Sequence, residues 1–193
     1  MQIMGEEHLI QLTLSGDRSA FQTLVESHQS AIHHYIQKLI QNPQDAQDLC
    51  QRVFMKCFTG LRNLREPEKF TSWLYTIARN KVYDYNRRNT TKHVSMDTAD
   101  FRESELVMEN ELGANPAVVL DARMKAALIR RAVDALPDKQ SEVIILKIYH
   151  NLKFIEIAEI MDLSINTVKS RLYYGLSTLK DRFKQWDLED YVV

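Results

Sequence analysis

The sequence predicts an all-α protein: two small helical domains joined by a flexible acidic linker, the second containing a helix-turn-helix. Three observations carry this reading. Apolar residues recur at three- and four-residue steps in both ends of the chain, and the first 120 residues show no strand pattern. Only 5 Gly and 4 Pro occur among 193 residues, too few for a β-rich or loop-rich design. The charge is also segmented. Residues 1–89 carry 11 Lys and Arg against 9 Asp and Glu, residues 90–121 carry 2 against 7, and residues 122–193 carry 12 against 10. Two mildly basic ends flanking an acidic middle read as two modules and a linker.

Other classes are disfavoured early. The 45% apolar and 26% charged fractions are ordinary for a globular protein. No apolar run approaches the roughly 20 residues that a membrane span needs. The start, MQIMGEE, lacks a basic stretch followed by an apolar one, so no secretory signal is expected.

The first helices place Ala20, Phe21, Leu24, Val25, Ala31, Ile32, Tyr35, Ile36, Leu39 and Ile40 on a common face. Asn42-Pro43 interrupts them, because proline disfavours the helical region at the residue before it. The next helix puts Ala46, Leu49, Cys50, Val53, Phe54, Cys57, Phe58 and Leu61 together, with Asp45 and Asp48 in its first turns, where acidic groups suit the helix dipole. Cys50 and Cys57 on one helix stand about 10 Å apart at about 1.5 Å per residue, too far to pair with each other. They are expected as buried thiols in a reducing compartment and not as a zinc site. Pro67 breaks the pattern before a third helix that carries Phe70, Trp73, Leu74, Ile77, Ala78 and Tyr85 and ends in Arg87, Arg88 and Asn89.

Residues 90 to about 120 sustain no period, beyond a possible short helix from Arg102 to Leu112, and a loop this long belongs between domains. Beyond it, a helix from Ala122 to Leu136 stops at Pro137. Ser141 to Tyr149 continues with Val143, Ile144, Leu146 and Ile148.

The sharpest signal lies between Phe154 and Lys180. Ile155, Ala158, Ile160 and Met161 give a short helix. Asp162 falls where a left-handed residue is wanted, and Asp tolerates that region better than most. Ser164 is a good N-cap for the next helix, whose buried stripe is read as Ile165, Val168, Leu172, Leu176 and Leu179. Asn166, Thr167, Lys169, Ser170, Arg171 and Tyr173 are left facing outward. This is a helix-turn-helix, whose second helix presents N-terminal residues to base edges in the major groove.

A second constellation spans Phe70 to Arg88. Phe70, Trp73, Tyr75, Tyr83 and Tyr85 are interleaved with Arg79, Lys81, Arg87 and Arg88. Cations that track phosphates and aromatics that stack on unpaired bases suit strand separation. For Trp73 a core position weighs equally.

Four blocks, GDRSAF (Gly16 to Phe21), DAQDLCQRVF (Asp45 to Phe54), FTSWLYTIARN (Phe70 to Asn80) and LPDKQSEVIILK before the helix-turn-helix, resemble the extracytoplasmic-function (ECF) sigma factors of bacterial RNA polymerase in order and spacing. The resemblance covers nearly the whole chain. It implies residues 1–93 as a region 2-like domain that binds core polymerase and melts the minus-ten element, residues 94–117 as a linker, and residues 118–193 as a region 4-like domain that reads the minus-thirty-five element.

Residue by residue, it implies a polymerase contact at Asp45, Asp48, Leu49, Gln51, Arg52 and Phe54, where Arg52 replaces a frequent Glu. The loop Arg62 to Lys69 is similar to the one that captures a flipped-out base, with Arg62, Leu64, Arg65, Glu66 and Lys69 as contacts. Tyr75, Arg79, Asn80, Tyr83 and Asp84 match the helix that meets melted DNA; Phe70, Trp73, Arg87 and Arg88 join them from the aromatic and cationic pattern. At the minus-thirty-five element the expected contacts are Ser164, Asn166, Thr167, Lys169, Ser170, Arg171, Tyr173 and Tyr174. Many relatives carry Arg-Ala-Arg where this chain has Tyr174, Gly175 and Leu176, which implies fewer phosphate contacts.

The resemblance implies a cytoplasmic protein that is not an enzyme. It has no catalytic residue, metal or cofactor, and its partners are core polymerase, promoter DNA and an anti-sigma factor. A net charge of −1 predicts weak binding to free DNA, because affinity grows with the number of phosphates neutralised. Docking on polymerase would let each weak contact gain from the other. Two rivals fare worse. A LuxR-type regulator shares the Thr-Val-Lys pattern but lacks the first three blocks. Catalysis would have to rest on acidic pairs such as Asp45 with Asp48 or Glu156 with Glu159, or on His28, His33 and His34, and none of these has metal spacing or a nucleophile motif.

Overall fold

A computed structural model of the chain describes residues 5–40, 42–90 and 126–186. The expected linker, its short helix at 102–112 and the tail beyond Trp186 lie outside the described residues. Among those described there are helices and turns and no strand.

The first half is α1 (Glu6–Leu14), α2 (Arg18–Leu39), α3 (Pro43–Gly60) and α4 (Phe70–Thr90), with two 3-10 turns, Leu61–Asn63 and Pro67–Lys69, between α3 and α4. The GDRSAF block is a helix punctuation. Gly16 takes φ +104°, a conformation that side chains oppose, and turns the chain out of α1. Asp17 then caps α2: its carboxylate accepts from the backbone N–H of Ser19 at 2.8 Å and of Ala20 at 3.3 Å. Bonding to the Ser19 side chain, then to those N–H groups, holds the Asp17 carboxyl below its ordinary range. Asn42 caps α3 on the N–H groups of Gln44 and Asp45, and Pro43 sits at the start of the helix, where its missing N–H is harmless.

Leu9, Ile10, Leu24, Ile32, Tyr35, Ile36, Val53, Cys57, Leu74, Ala78 and Val82 are buried where α1 to α4 meet. Burial pushes the free thiols of Cys50 and Cys57 up, to about 11 and about 12, which keeps them protonated and unreactive.

The second half is α5 (126–134), α6 (Asp138–Ile144), a single π turn (Ile145–Tyr149), α7 (Phe154–Met161) and α8 (Ile165–Gln185). Two residues after the π turn, Asn151 adopts φ 50°, and Leu152 re-enters the core. Asp162 is left-handed, at φ 54°, as its position in the motif predicts. Ser164 caps α8, its hydroxyl accepting from the Thr167 N–H at 3.1 Å.

The sidedness of several helices differs from the sequence reading. Ile157, not Ile155, joins Ala158, Ile160 and Met161 on the buried face of α7; Ile155 is 55% exposed. Along α8 the buried positions are Val168, Gly175, Leu179 and Phe183, while Ile165 and Leu176 face out. Phe58 and Ile148 are exposed as well. For α8 the close contact is at Gly175: a Cβ there would lie 2.8 Å from Cδ1 of Ile144, so α6 and α8 approach through the glycine and that face of α8 is the buried one.

The two halves pack together. α4 lies against α7, and α2 against the π turn. α4 is therefore covered by the first half on one side and by the second half on the other.

Gly175→Leu should lower stability by about 1–3 kcal/mol, because the added side chain overpacks the α6–α8 contact. Urea unfolding measures this; an unchanged midpoint would show that the close approach is not required.

Candidate nucleic-acid interface

α8 stands clear of the core along its outer face. Its cap holds Ser164 and Thr167 to each other, with 2.8 Å between their hydroxyl oxygens. Asn166, Lys169 and Ser170 are exposed, Arg171 is half-buried, and Tyr173 and Tyr174 stand out at 71% and 61% exposure with their rings edge to face. The Lys169 ammonium lies 5.7 Å from the ring of Phe154, which leans it back toward α7. A capped helix held by a short α7, with amide, ammonium, hydroxyl and phenol groups on its free face, has the chemistry to read base edges and phosphates.

The aromatic and basic positions of α4 divide into three groups. Phe70, at 1% exposure, is core, with its ring against Trp73 and His28. Trp73 is half-buried over Gly60, where a Cβ would come within 3.2 Å of its ring. Phe70 is thus removed from the directly contacting set and Trp73 is largely a core side chain, because the stripe that packs on α3 passes through both. Asn80, Asp84, Arg87 and Arg88 are exposed, with Arg87 paired to Asp84 at 3.1 Å.

The third group is held by the second half. The carboxylate of Glu142 is buried, at 2% exposure, in a helix that the sequence reading treated as apolar. It accepts from Arg79 Nε at 2.9 Å, from the Tyr35 hydroxyl at 3.0 Å and from the Tyr83 hydroxyl at 3.2 Å. Arg79 Nη2 also donates to the Tyr83 hydroxyl at 3.3 Å and its guanidinium lies over that ring. Burial and then the Glu142 charge push the Tyr35 phenol well above its usual range. Burial works against the charged form of Arg79, but Glu142 overrides it and the net shift is upward.

Beside this cluster, Tyr75 is buried, its hydroxyl 3.0 Å from His150 Nδ1, and Tyr35, Tyr75 and His150 stack edge to face. Ser72 donates to Glu159 at 2.8 Å, and Lys69 pairs with Glu66 at 2.9 Å and with Glu159 at 3.4 Å. Leu64 is half-buried, while Arg62 and Arg65 are exposed on the intervening loop.

Of the positions expected to contact polymerase, Asp48, Gln51 and Arg52 are exposed on α3. Asp45 is half-buried and accepts from the Tyr85 hydroxyl, whose pKa is raised to about 12 by burial and then by this bond. Leu49 and Phe54 are buried, so they shape that face of α3 from beneath.

An open groove of about 540 Å³ runs between α2 and α3, lined by Phe21, Val25, Cys50, Phe54, Met55 and Phe58 among others. Met55 and Phe58 are exposed there, and the sequence reading missed both as surface residues. The signal was present: two apolar side chains three apart, continuing beyond the width of one buried stripe. Of the acidic pairs, Glu156 accepts from the Lys153 N–H at 2.6 Å and Glu159 from the Ser72 hydroxyl at 2.8 Å. His28 lies 2.6 Å from Glu6. No cluster of three or more potential metal ligands occurs among the described residues.

An all-helical chain with a capped helix-turn-helix and a second helix rich in aromatic and basic groups defines a DNA-binding transcription protein. Family models narrow the class. Sigma-70 region 2 matches residues 24–91 and Sigma-70 region 4 matches residues 126–179, together well over half of the chain. The ECF RNA polymerase sigma factor SigW of Bacillus subtilis is 28% identical over 95% of this chain and 99% of its own length. The ECF RNA polymerase sigma-E factor of Escherichia coli is 27% identical over 93% of this chain and 94% of its own. The chain belongs to the ECF sigma factors, the subunits that bind core RNA polymerase and direct initiation at chosen promoters.

The fold agrees. CnrH, solved in complex with the cytosolic domain of CnrY, superposes with a TM-score of 0.69 at 22% identity, covering 93% of this chain and 97% of that one. RpoE of Bartonella quintana, solved with the anti-sigma factor NepR, gives 0.65 at 21% identity over 85% and 96%.

His150 supplies a pH dependence. Burial, reinforced by His34 and Lys38, lowers it from 6.5 to about 4, so the packed state favours the neutral ring. Its contribution to packing is complete above pH 6.5 and is lost as pH falls through about 4. The urea midpoint of the wild type relative to His150→Gln should therefore shrink over that interval, and a constant difference would remove His150 from the balance.

Proposed function

We propose that residues 1–93 dock on core polymerase and open the minus-ten element, that residues 118–193 read the minus-thirty-five element, and that residues 94–117 link them. The observation that carries this is the free face of α8: Asn166, Lys169, Ser170 and Tyr173 are exposed on a helix whose opposite face, Val168, Gly175 and Leu179, is buried. Ser164, Thr167, Arg171 and Tyr174 complete that surface.

On the first half, Arg62, Arg65, Asn80, Arg87 and Arg88 meet melted DNA directly. Leu64, Glu66, Lys69, Tyr75, Arg79, Tyr83 and Asp84 complete the proposed contact set, Tyr75, Arg79 and Tyr83 once the second half has moved off them, with Phe70 and Trp73 supporting it from beneath. Asp48, Gln51 and Arg52, backed by Asp45, Leu49 and Phe54, form the polymerase contact.

Catalysis belongs to polymerase, and this chain performs none. No helix among the described residues is long and apolar enough to cross a membrane. As a polymerase subunit the chain works where polymerase is, in the cytoplasm. Control by an anti-sigma factor fits the fold, since the Bartonella RpoE of the same architecture was solved bound to one.

Gel filtration with bacterial core RNA polymerase, followed by run-off transcription on a promoter library, tests the reading. Co-elution and promoter-dependent transcripts are expected. DNA binding by the chain alone without co-elution would favour a regulator of the LuxR type.

Lys169→Ala and Arg171→Ala should each cost about 1–3 kcal/mol of promoter affinity through the upstream element and leave core binding intact. Loss of core binding in either variant would overturn the division between the halves. Asp48→Arg, a charge reversal on the exposed face of α3, should weaken core binding at least about tenfold, or ~1.4 kcal/mol. Unchanged affinity in a core-binding titration would remove Asp48 from the contact.

A further inference from the structure

The groups around Glu142 form a site with chemistry of its own. Arg79 Nε, at 2.9 Å, and the hydroxyls of Tyr35 and Tyr83, at 3.0 and 3.2 Å, converge on one carboxylate. All three donors belong to the first half of the chain, and the acceptor comes from α6 of the second. A guanidinium with two phenols aimed at one point suits an oxyanion, and guanidinium geometry matches phosphate as well as carboxylate.

The same pairing occurs a second time along this interface. Glu159 of α7 takes the Ser72 hydroxyl at 2.8 Å and the Lys69 ammonium at 3.4 Å. Two carboxylates of the second half thus occupy cationic and hydroxyl groups of the first, on the side of α4 that continues to the exposed Arg87.

We infer that Tyr35, Arg79 and Tyr83 form a binding site for a backbone phosphate of single-stranded DNA, and that Glu142 is an internal occupant competing with it. The inference rests on α4 being the DNA-facing helix of the first half; it adds Tyr35, a residue that the sequence places only in the core stripe, and it makes closure of the two halves and DNA binding mutually exclusive at this point. When α6 leaves, a half-buried arginine and two phenols, one of them buried, lose their acceptor. Leaving such groups unpaired is unfavourable, so an anion is recruited. Binding and opening are then linked reciprocally.

The test uses the full chain and a fluorescein-labelled oligothymidylate, with affinity read by anisotropy. Glu142→Gln keeps the shape of the side chain and removes its charge. It should raise affinity severalfold over wild type. Adding Arg79→Gln should abolish the gain and reduce the salt dependence by about 0.7 in the log–log slope, the value for one phosphate of a single strand. Adding Tyr35→Phe, which keeps the ring packed on Tyr75, should remove most of the gain. A gain that survives both additions, or no gain at all, overturns the site.

Inorganic phosphate at matched ionic strength should leave the Glu142→Gln complex in place. Displacement by it would assign the site to free phosphate and overturn the DNA assignment. Should Glu142→Gln lose helix by circular dichroism, the wild type decides. Saturating oligothymidylate should speed amide exchange in Asp138–Tyr149, and unchanged protection there overturns the competition. Run-off transcription separates the two levels. A chain that initiates with core polymerase but gains nothing from Glu142→Gln keeps the sigma reading and loses this site; a chain that does not initiate loses the reading on which the site rests.

Discussion

A carboxylate removed from water is unfavourable by several kcal/mol unless charge and hydrogen bonds replace its hydration. Glu142 is such a carboxylate, and the arrangement of the two halves depends on how it is satisfied. It cannot be satisfied within its own half, because its donors are Tyr35 on α2 and Arg79 and Tyr83 on α4. Packing of the halves is therefore not only a matter of apolar surface. It requires α6 to sit where three donors of the first half converge, and removal of one partner from such a buried pair typically costs about 3–5 kcal/mol. The aromatic stack of Tyr35, Tyr75 and His150 then fills the space beside the pair.

This constraint bears on function because the same helix, α4, carries the groups suited to unpaired DNA. The proposed division, one promoter element to each half, needs two separable surfaces. In the packed state the free face of α8, the proposed upstream surface, remains open, while Arg79 and Tyr83 of the proposed α4 surface are occupied by an acidic group of their own chain. The acidic character of Glu142 and Glu159 matters here: each stands on a basic or hydroxyl group of the first half, as a phosphate would.

Much of the fold was legible because it rests on local rules. Asn42 and Ser164 cap their helices, Asp162 takes the left-handed turn, and Pro67 and Pro137 mark breaks, all within a few residues of the signals that announce them. The outward set on α8 was legible too, since the cap fixes where the helix begins. Sidedness was less so. Ile155, Ile165, Leu176, Phe58 and Ile148 are apolar, and each was assigned to a core, yet all are exposed. A helix with apolar residues on more than one face does not say which face meets a neighbour. Gly175 decided it for α8, and a glycine in a helix reads from sequence as a weakness, not as a contact. Met55 and Phe58 beside the α2–α3 groove were missed for the same reason.

The sequence by itself determined the helices, their caps, the helix-turn-helix and the family, because those depend on residue type at short spacing. The tertiary structure alone decided the partners. Tyr35 and Glu142 are 107 positions apart, Ser72 and Glu159 are 87 apart, and Tyr75 and His150 are 75 apart. No periodicity links such residues. Whether Glu142 is a solvated surface charge or a buried acceptor depends on which surface the second half lays against α4, and that is set by the sum of packing, not by any local pattern.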